Sequence, residues 1–218
     1  MYECCQCTGI EKIFNAKTAR KEIRRYEKRG PRKTTRWLID GVRKSTENGG
    51  SSLIDIGGGI GAIQYELLKH GVTQVNSIDA SSSYHDLASQ MAEKRGVGDK
   101  IQRTHGDFTD DSIRPDMADI VTLDRVICCY PDMKTLVEKS SSLATRVYAV
   151  VFPRERFFIK WSLPLVHWTL KLRRIPFRVY VHSTNDVDAI VQQNGFQLLQ
   201  VRHSFIWQVR VYEKETRE

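Results

Sequence analysis

No stretch of these 218 residues approaches the roughly twenty consecutive apolar positions that a bilayer-spanning helix needs. The start, Met1 to Cys5, has no signal-peptide layout, so a cytoplasmic location is the expectation. Cysteine is sparse and oddly numbered: Cys4, Cys5 and Cys7 near the start, Cys128 and Cys129 in the middle. An odd count with adjacent pairs argues against a disulfide framework. The first three thiols would hold a soft metal only with a fourth ligand from elsewhere, so no metal is expected and a reduced tail is preferred. Aromatic residues are not interleaved with the basic ones as single-strand binding requires, so a nucleic-acid partner is not expected.

Positive charge, by contrast, is plentiful. The net charge is +8, and Lys12, Lys17, Arg20, Lys21, Arg24, Arg25, Lys28, Arg29, Arg32, Lys33 and Arg36 crowd the N-terminal part. Such an excess suits an anionic partner, or else forms a solvated helix face. Ile13, Phe14, Ala19, Ile23 and Tyr26 recur at helical spacing, so this basic segment is read as an amphipathic helix ending at Gly30-Pro31. A second helix is expected over 33–44.

From residue 50 onward, apolar strands alternate with helices, which implies a mostly parallel sheet covered on both faces. Ser52 to Ile56 is the first strand, and Asp55-Ile-Gly-Gly-Gly-Ile-Gly61 joins it to a helix. Glycines there let the chain turn sharply and let a ligand lie against bare backbone at a helix N-terminus. Gly57 to Ala62 also fits the dinucleotide pattern, so the glycines alone leave NAD and S-adenosylmethionine both open. Two carboxylates, Asp55 and Asp107, favour the second, while a third, Asp79, would serve either cofactor. Asp55, before the first glycine, would repel a pyrophosphate and welcome an ammonium group. Asp79, with Ala80 beside it, closes the strand 75–79, where a carboxylate can accept both ribose hydroxyls. Asp107 closes a third strand read as 101–108 and could accept an adenine amino group while Phe108 packs on the ring.

This pattern resembles the class I S-adenosylmethionine-dependent methyltransferase family: Asp55-x-Gly57-x-Gly59-x-Gly61, then Asp79, then Gly106-Asp107-Phe108, then Ala118 to Asp132 as the fourth strand and its turn. The resemblance spans about 50–152. It implies a Rossmann-like, doubly wound α/β sheet with an antiparallel C-terminal strand, residues 1–49 being a helical cap of the same domain. It implies S-adenosyl-L-methionine as cofactor, held by Asp55, Gly57, Gly59, Gly61, Asp79, Ala80, Asp107, Phe108 and Asp124, and in-line methyl transfer to a small anionic or aromatic metabolite. The alternatives are a non-catalytic S-adenosylmethionine-binding regulatory module and an NAD-dependent oxidoreductase. The run Tyr180-x-His182 and the turn from Asp124 to Asp132 are also similar to the magnesium-protoporphyrin O-methyltransferase branch.

For the acceptor side, Arg125 is expected to grip an anion through a guanidinium fork, the other reading being a surface ion pair. His182, with Tyr180 on the same face of a strand, is the acid-base candidate, or else ends the strand by capping the next turn. Cys128 and Cys129 stand where the family often carries glutamate and histidine; a thiol there is a small apolar filler or a reactive group. Tyr26, Lys33, Thr35, Cys129 and Tyr130 are expected to face the substrate. Residues 154–178, rich in Phe, Trp and Leu and flanked by arginine and lysine, are a lid, ordinary core or a membrane-surface contact, with Pro164 kinking or splitting the segment.

Overall fold

The structure, a computed structural model, describes residues 5–46 and 50–215, with side chains from residue 9 onward. Cys4 lies outside the described residues, as do the side chains of Cys5 and Cys7, whose backbone opens helix α1 (Cys5–Ile13). Two basic-rich helices follow, α2 (Ala16–Arg29) and α3 (Lys33–Ser45). The Asn15 side chain accepts from Thr18 N to start α2, and Gly30 at φ +67° ends it.

Seven strands form one sheet: β1 (Ser52–Ile56), β2 (Gln74–Asp79), β3 (Ile101–His105), β4 (Ala118–Asp124), β5 (Ala144–Pro153), β6 (Phe196–His203) and β7 (Trp207–Lys214). Their order is β3-β2-β1-β4-β5-β7-β6, parallel through β5, with β7 antiparallel to both neighbours. The sheet thus carries the expected antiparallel C-terminal strand. Between strands run α4 (Ala62–Leu68), α5 (Ser82–Lys94), α6 (Met133–Ser142), α7 (Phe157–Leu172) and α8 (Thr184–Gln193).

Period-two alternation along β5 builds both cores. Val147, Ala149 and Val151 face the side covered by α2 to α5; Tyr148, Val150 and Phe152 face the side covered by α6 and α8. Leu38, Ile39 and Val42 bring α3 into the first core, so it is a covering layer of the sheet as well as a neighbour of the site.

Four expectations need correction. β3 stops at His105, because Gly106 takes φ +155° and the Asp107 side chain ties the next turn by accepting from Thr109 N and Oγ1. Residues 175–182 are extended chain, not a strand: Val179 N donates to His167 Nε2 and Tyr180 N to Cys128 O, so their hydrogen bonds go to a helix side chain and a turn. Pro164 does not split its segment, since the helix α7 continues on both sides of it. The helix is also not core, since Ile159 is the one buried residue along it.

Candidate functional site

At the carboxyl ends of β1, β2 and β4, the edge where parallel sheets gather ligands, lies a cavity of about 440 Å3. Its floor is the glycine loop. Gly57 takes φ +62°, and a Cβ there would stand 2.4 Å from Val126 Cγ2, so only glycine lets β1 pass this close to the turn after β4. Gly61, at φ +85°, opens α4.

Beneath the loop sits a polar network fixed by sheet register. Asp55 pairs across β1 with Ser77 on one side and Thr122 on the other. Thr122 Oγ1 donates to Asp55 Oδ1 at 2.7 Å, and Gln64 Nε2 donates to Asp55 Oδ2 at 2.9 Å and to Ser77 Oγ at 2.8 Å. Arg103 closes the network onto Ser77 Oγ and Gln64 Oε1. Burial pushes the Asp55 carboxyl up to about 6, against the downward pull of Thr122 and Gln64. Asp79 locks the loop to β2: its Oδ2 accepts from Gly59 N and its Oδ1 from Ser81 N, both at 2.8 Å. Burial raises its pKa, and these two bonds oppose the rise.

At the end of β4, Thr35 Oγ1 donates to Asp124 Oδ2 at 2.5 Å, tying α3 to the site. Arg125 is held at φ +66°, an uncommon conformation for a side-chain-bearing residue, with its Nη2 donating to Thr34 Oγ1 at 2.7 Å and its guanidinium over the Trp207 ring. Asp124 Oδ1 and Arg125 Nε lie 3.7 Å apart, beyond hydrogen-bonding reach, and each is buried without a hydrogen-bond partner. The Nε of Arg25, which also lines the cavity, is a third such atom.

The sequence expectations fall into two groups. Asp55, Gly57, Gly59, Asp79, Ala80, Phe108, Asp124, Arg125, Thr35, Cys129 and Tyr130 all border the cavity. Gly61 lies behind it at the start of α4, its position filled by Tyr65. Asp107 stands just outside, its Oδ1 accepting from the Tyr130 hydroxyl at 2.8 Å. Tyr26 points elsewhere and donates to Glu66, while the Lys33 ammonium lies over the Trp37 ring. Tyr180 and His182 do stack on each other, at 5.8 Å, but behind the wall: His182 Nε2 bonds Tyr130 O at 2.9 Å, and burial lowers the imidazole pKa. Both buried cysteines place Sγ near Arg125 O; contact with Cys128, then burial, holds the Cys129 thiol far above its ordinary pKa.

Several cavity residues were not singled out from sequence. Phe14, Glu22, Phe177 and Trp207 come from segments distant along the chain, Tyr84 and Val126 are apolar neighbours of residues that were singled out, and Arg25 was one basic residue among many. The network partners Gln64, Ser77, Arg103 and Thr122 carried no motif. The one available signal was that Ser77 and Thr122 are polar interruptions in otherwise apolar strands.

Residues 54–145 match the family model described as a methyltransferase domain. No curated protein matches the sequence. Among solved structures, the chain is similar to magnesium protoporphyrin IX methyltransferase from Synechocystis PCC 6803 with bound S-adenosylhomocysteine, at 19% identity and TM-score 0.71, covering 96% of this chain and 100% of that one. It is similar to a putative sarcosine dimethylglycine methyltransferase from Galdieria sulphuraria, at 14% identity and TM-score 0.67, covering 83% and 85%. Geranyl diphosphate C-methyltransferase from Streptomyces coelicolor A3(2) is a further neighbour, at 10% identity and TM-score 0.63, covering 83% and 76%. At these identities the likeness to solved structures concerns the fold, whereas the family match decides between the two cofactors that the glycine spacing left open. Residues 54–145 therefore match a methyltransferase domain, with S-adenosylmethionine as the cofactor that goes with it.

Proposed function

We propose that this enzyme methylates a small acidic molecule whose attacking atom arrives already deprotonated. The observation that carries the reading is that two arginines, Arg25 and Arg125, line one cavity, and that the buried Nε of each has no hydrogen-bond partner. A buried donor left without a hydrogen bond is costly, and two guanidinium groups around one space suit an anion. Burial and then the neighbouring Arg32 both lower the Arg25 pKa, which is the electrostatic mark of a cationic cluster.

When bound, S-adenosylmethionine supplies a methyl on a sulfonium that leaves as a neutral thioether. The protein has to hold, align and keep dry. In this reading the glycine loop cradles the methionine end, with Asp124 Oδ1 accepting from its ammonium. Asp79 spends one lone pair of each oxygen on the loop and has the others for ribose hydroxyls. Phe108 and Ala80 flank the adenine, and Asp107 receives its amino group. Thr35 steadies Asp124, and Arg125 grips the acceptor's negative group against the Trp207 ring. Among the described residues, no histidine or lysine lines the cavity. The scheme uses no histidine or lysine as a base, which suits a carboxylate or thiolate nucleophile. His182 and Tyr180 serve as a brace for the turn carrying Cys129 and Tyr130.

The test is a methylation screen of small aromatic and aliphatic acids, including a propionate-bearing porphyrin, beside their neutral amides. Acids should turn over and amides should not. For the acid that reacts, Arg125→Met should raise KM by about ten-fold to a hundred-fold, the loss of one charged hydrogen bond. Calorimetric affinity for S-adenosylhomocysteine should change less than three-fold. Equal turnover of acids and amides would remove the proposal.

A further inference from the structure

The helix α7 turns two apolar stripes in opposite directions. Ile159, Leu163, His167 and Leu170 face the protein, the first buried and the others half-buried. Phe157, Trp161, Leu165, Trp168 and Leu172 recur at four- and three-residue steps on the other side. Their exposures are 83%, 78%, 64%, 61% and 71%. The β6–β7 turn extends this surface with Phe205, 71% exposed and stacked on Phe158 at 4.9 Å. A contiguous apolar patch rimmed by polar residues marks a place where something docks.

Charge identifies the occupant. From Arg156 to Asn185 the sequence contains no aspartate or glutamate, while Arg156, Lys160, Lys171, Arg173, Arg174 and Arg178 punctuate it. A second copy of the chain laid on this face would bring like charges together. An acidic headgroup layer over a hydrocarbon interior complements both the cations and the apolar stripe. At 16 residues the helix is about 24 Å long and lies along the surface; among the described residues no helix is long and apolar enough to cross a membrane.

We infer that α7 and the Phe205 turn form a seat for an anionic lipid bilayer, with Phe157, Trp161, Leu165, Trp168 and Leu172 immersed at the headgroup level and the flanking arginines and lysines on lipid phosphates. Indole rings favour that depth, and basic residues beside them add attraction that salt screens. The seat holds the enzyme by its outer face and leaves the reaction to the cavity.

Flotation of the full chain with phosphatidylglycerol-containing vesicles and with pure phosphatidylcholine vesicles tests this directly. Partition should be at least ten-fold stronger on the anionic vesicles and should fall as salt is raised. The double variant Trp161→Ser with Trp168→Ser should lose binding by ten-fold or more while keeping its melting temperature and its calorimetric affinity for S-adenosylhomocysteine. The proposal is overturned if the native chain ignores anionic vesicles. It also fails if the double variant binds them as well as the native chain, because charge elsewhere then suffices. A third outcome against it is a concentration-dependent dimer in sedimentation that the double variant abolishes, with no vesicle binding, since a second copy would then cover the patch.

Discussion

The cavity floor and the outer face of α7 are made of opposite materials. Under the glycine loop, polar side chains are buried and cross-bonded: Asp55, Thr122, Gln64, Ser77 and Arg103 satisfy one another within a few ångströms. On α7, large apolar side chains stand in solvent and touch little. Each region inverts the usual partition of residues, and the two inversions differ in cost. A buried polar network is rigid because losing any member strands the rest, whereas an exposed apolar stripe can be altered with scarcely any effect on folding. The contrast teaches that the first region is constrained by structure and the second by whatever meets it.

Substitutions can sharpen or break that contrast, and Gly57→Val should have the largest effect. The positive φ costs a side-chain-bearing residue about 1–2 kcal/mol, and overlap with Val126 about 1–3 more. Chemical denaturation should register the sum, and adding Val126→Ala should restore the part due to overlap. A variant as stable as the native chain would mean that loop and turn are not in contact.

Next comes the titration of Asp55. Its folded pKa of about 6 exceeds the unfolded value near 3.9, so its favourable contribution is fully present below about pH 4 and is lost as pH rises through 6. Relative to Asp55→Asn, the native chain should lose on the order of 3 kcal/mol across that window, read from melts at stepped pH. Parallel curves for the two proteins would show that the carboxyl titrates normally.

Asp107→Ala should weaken S-adenosylhomocysteine binding by about 1–3 kcal/mol, the worth of one charged hydrogen bond, measured by calorimetry. An unchanged affinity would leave Asp107 with the turn-bracing role that its bonds to Thr109 and Tyr130 already give it.

Smallest of all, Trp161→Ser with Trp168→Ser should change unfolding free energy by no more than about 0.5 kcal/mol, as expected of exposed positions. A loss of several kcal/mol would place α7 with the core after all and dissolve the contrast.

Much of this was legible before any coordinates. Buried parallel strands announce themselves as short apolar runs, and the strand–glycine–helix junction at 52–62 located the cavity. The carboxylates at strand ends were legible for the same reason, since that edge is where ligands collect. Three kinds of fact were not. Arg25 could not be told from Arg20 or Arg24, because one basic residue on a basic helix looks like the next until the helix is docked. The run 175–182 has strand-like residues but bonds to a turn and to His167 instead of to a strand. In α7, both faces are apolar, so the sequence of 154–178 did not say which stripe points inward.

The close approach of Gly57 to Val126 has a further consequence. A single methyl group separates the loop read as the cofactor cradle from the turn that presents Arg125, Cys129 and Tyr130. The two halves of the pocket cannot drift independently: remodelling one for a bulkier guest shifts the other. Acceptor preference and cofactor affinity should therefore change together when the chain diversifies or is re-engineered at either place.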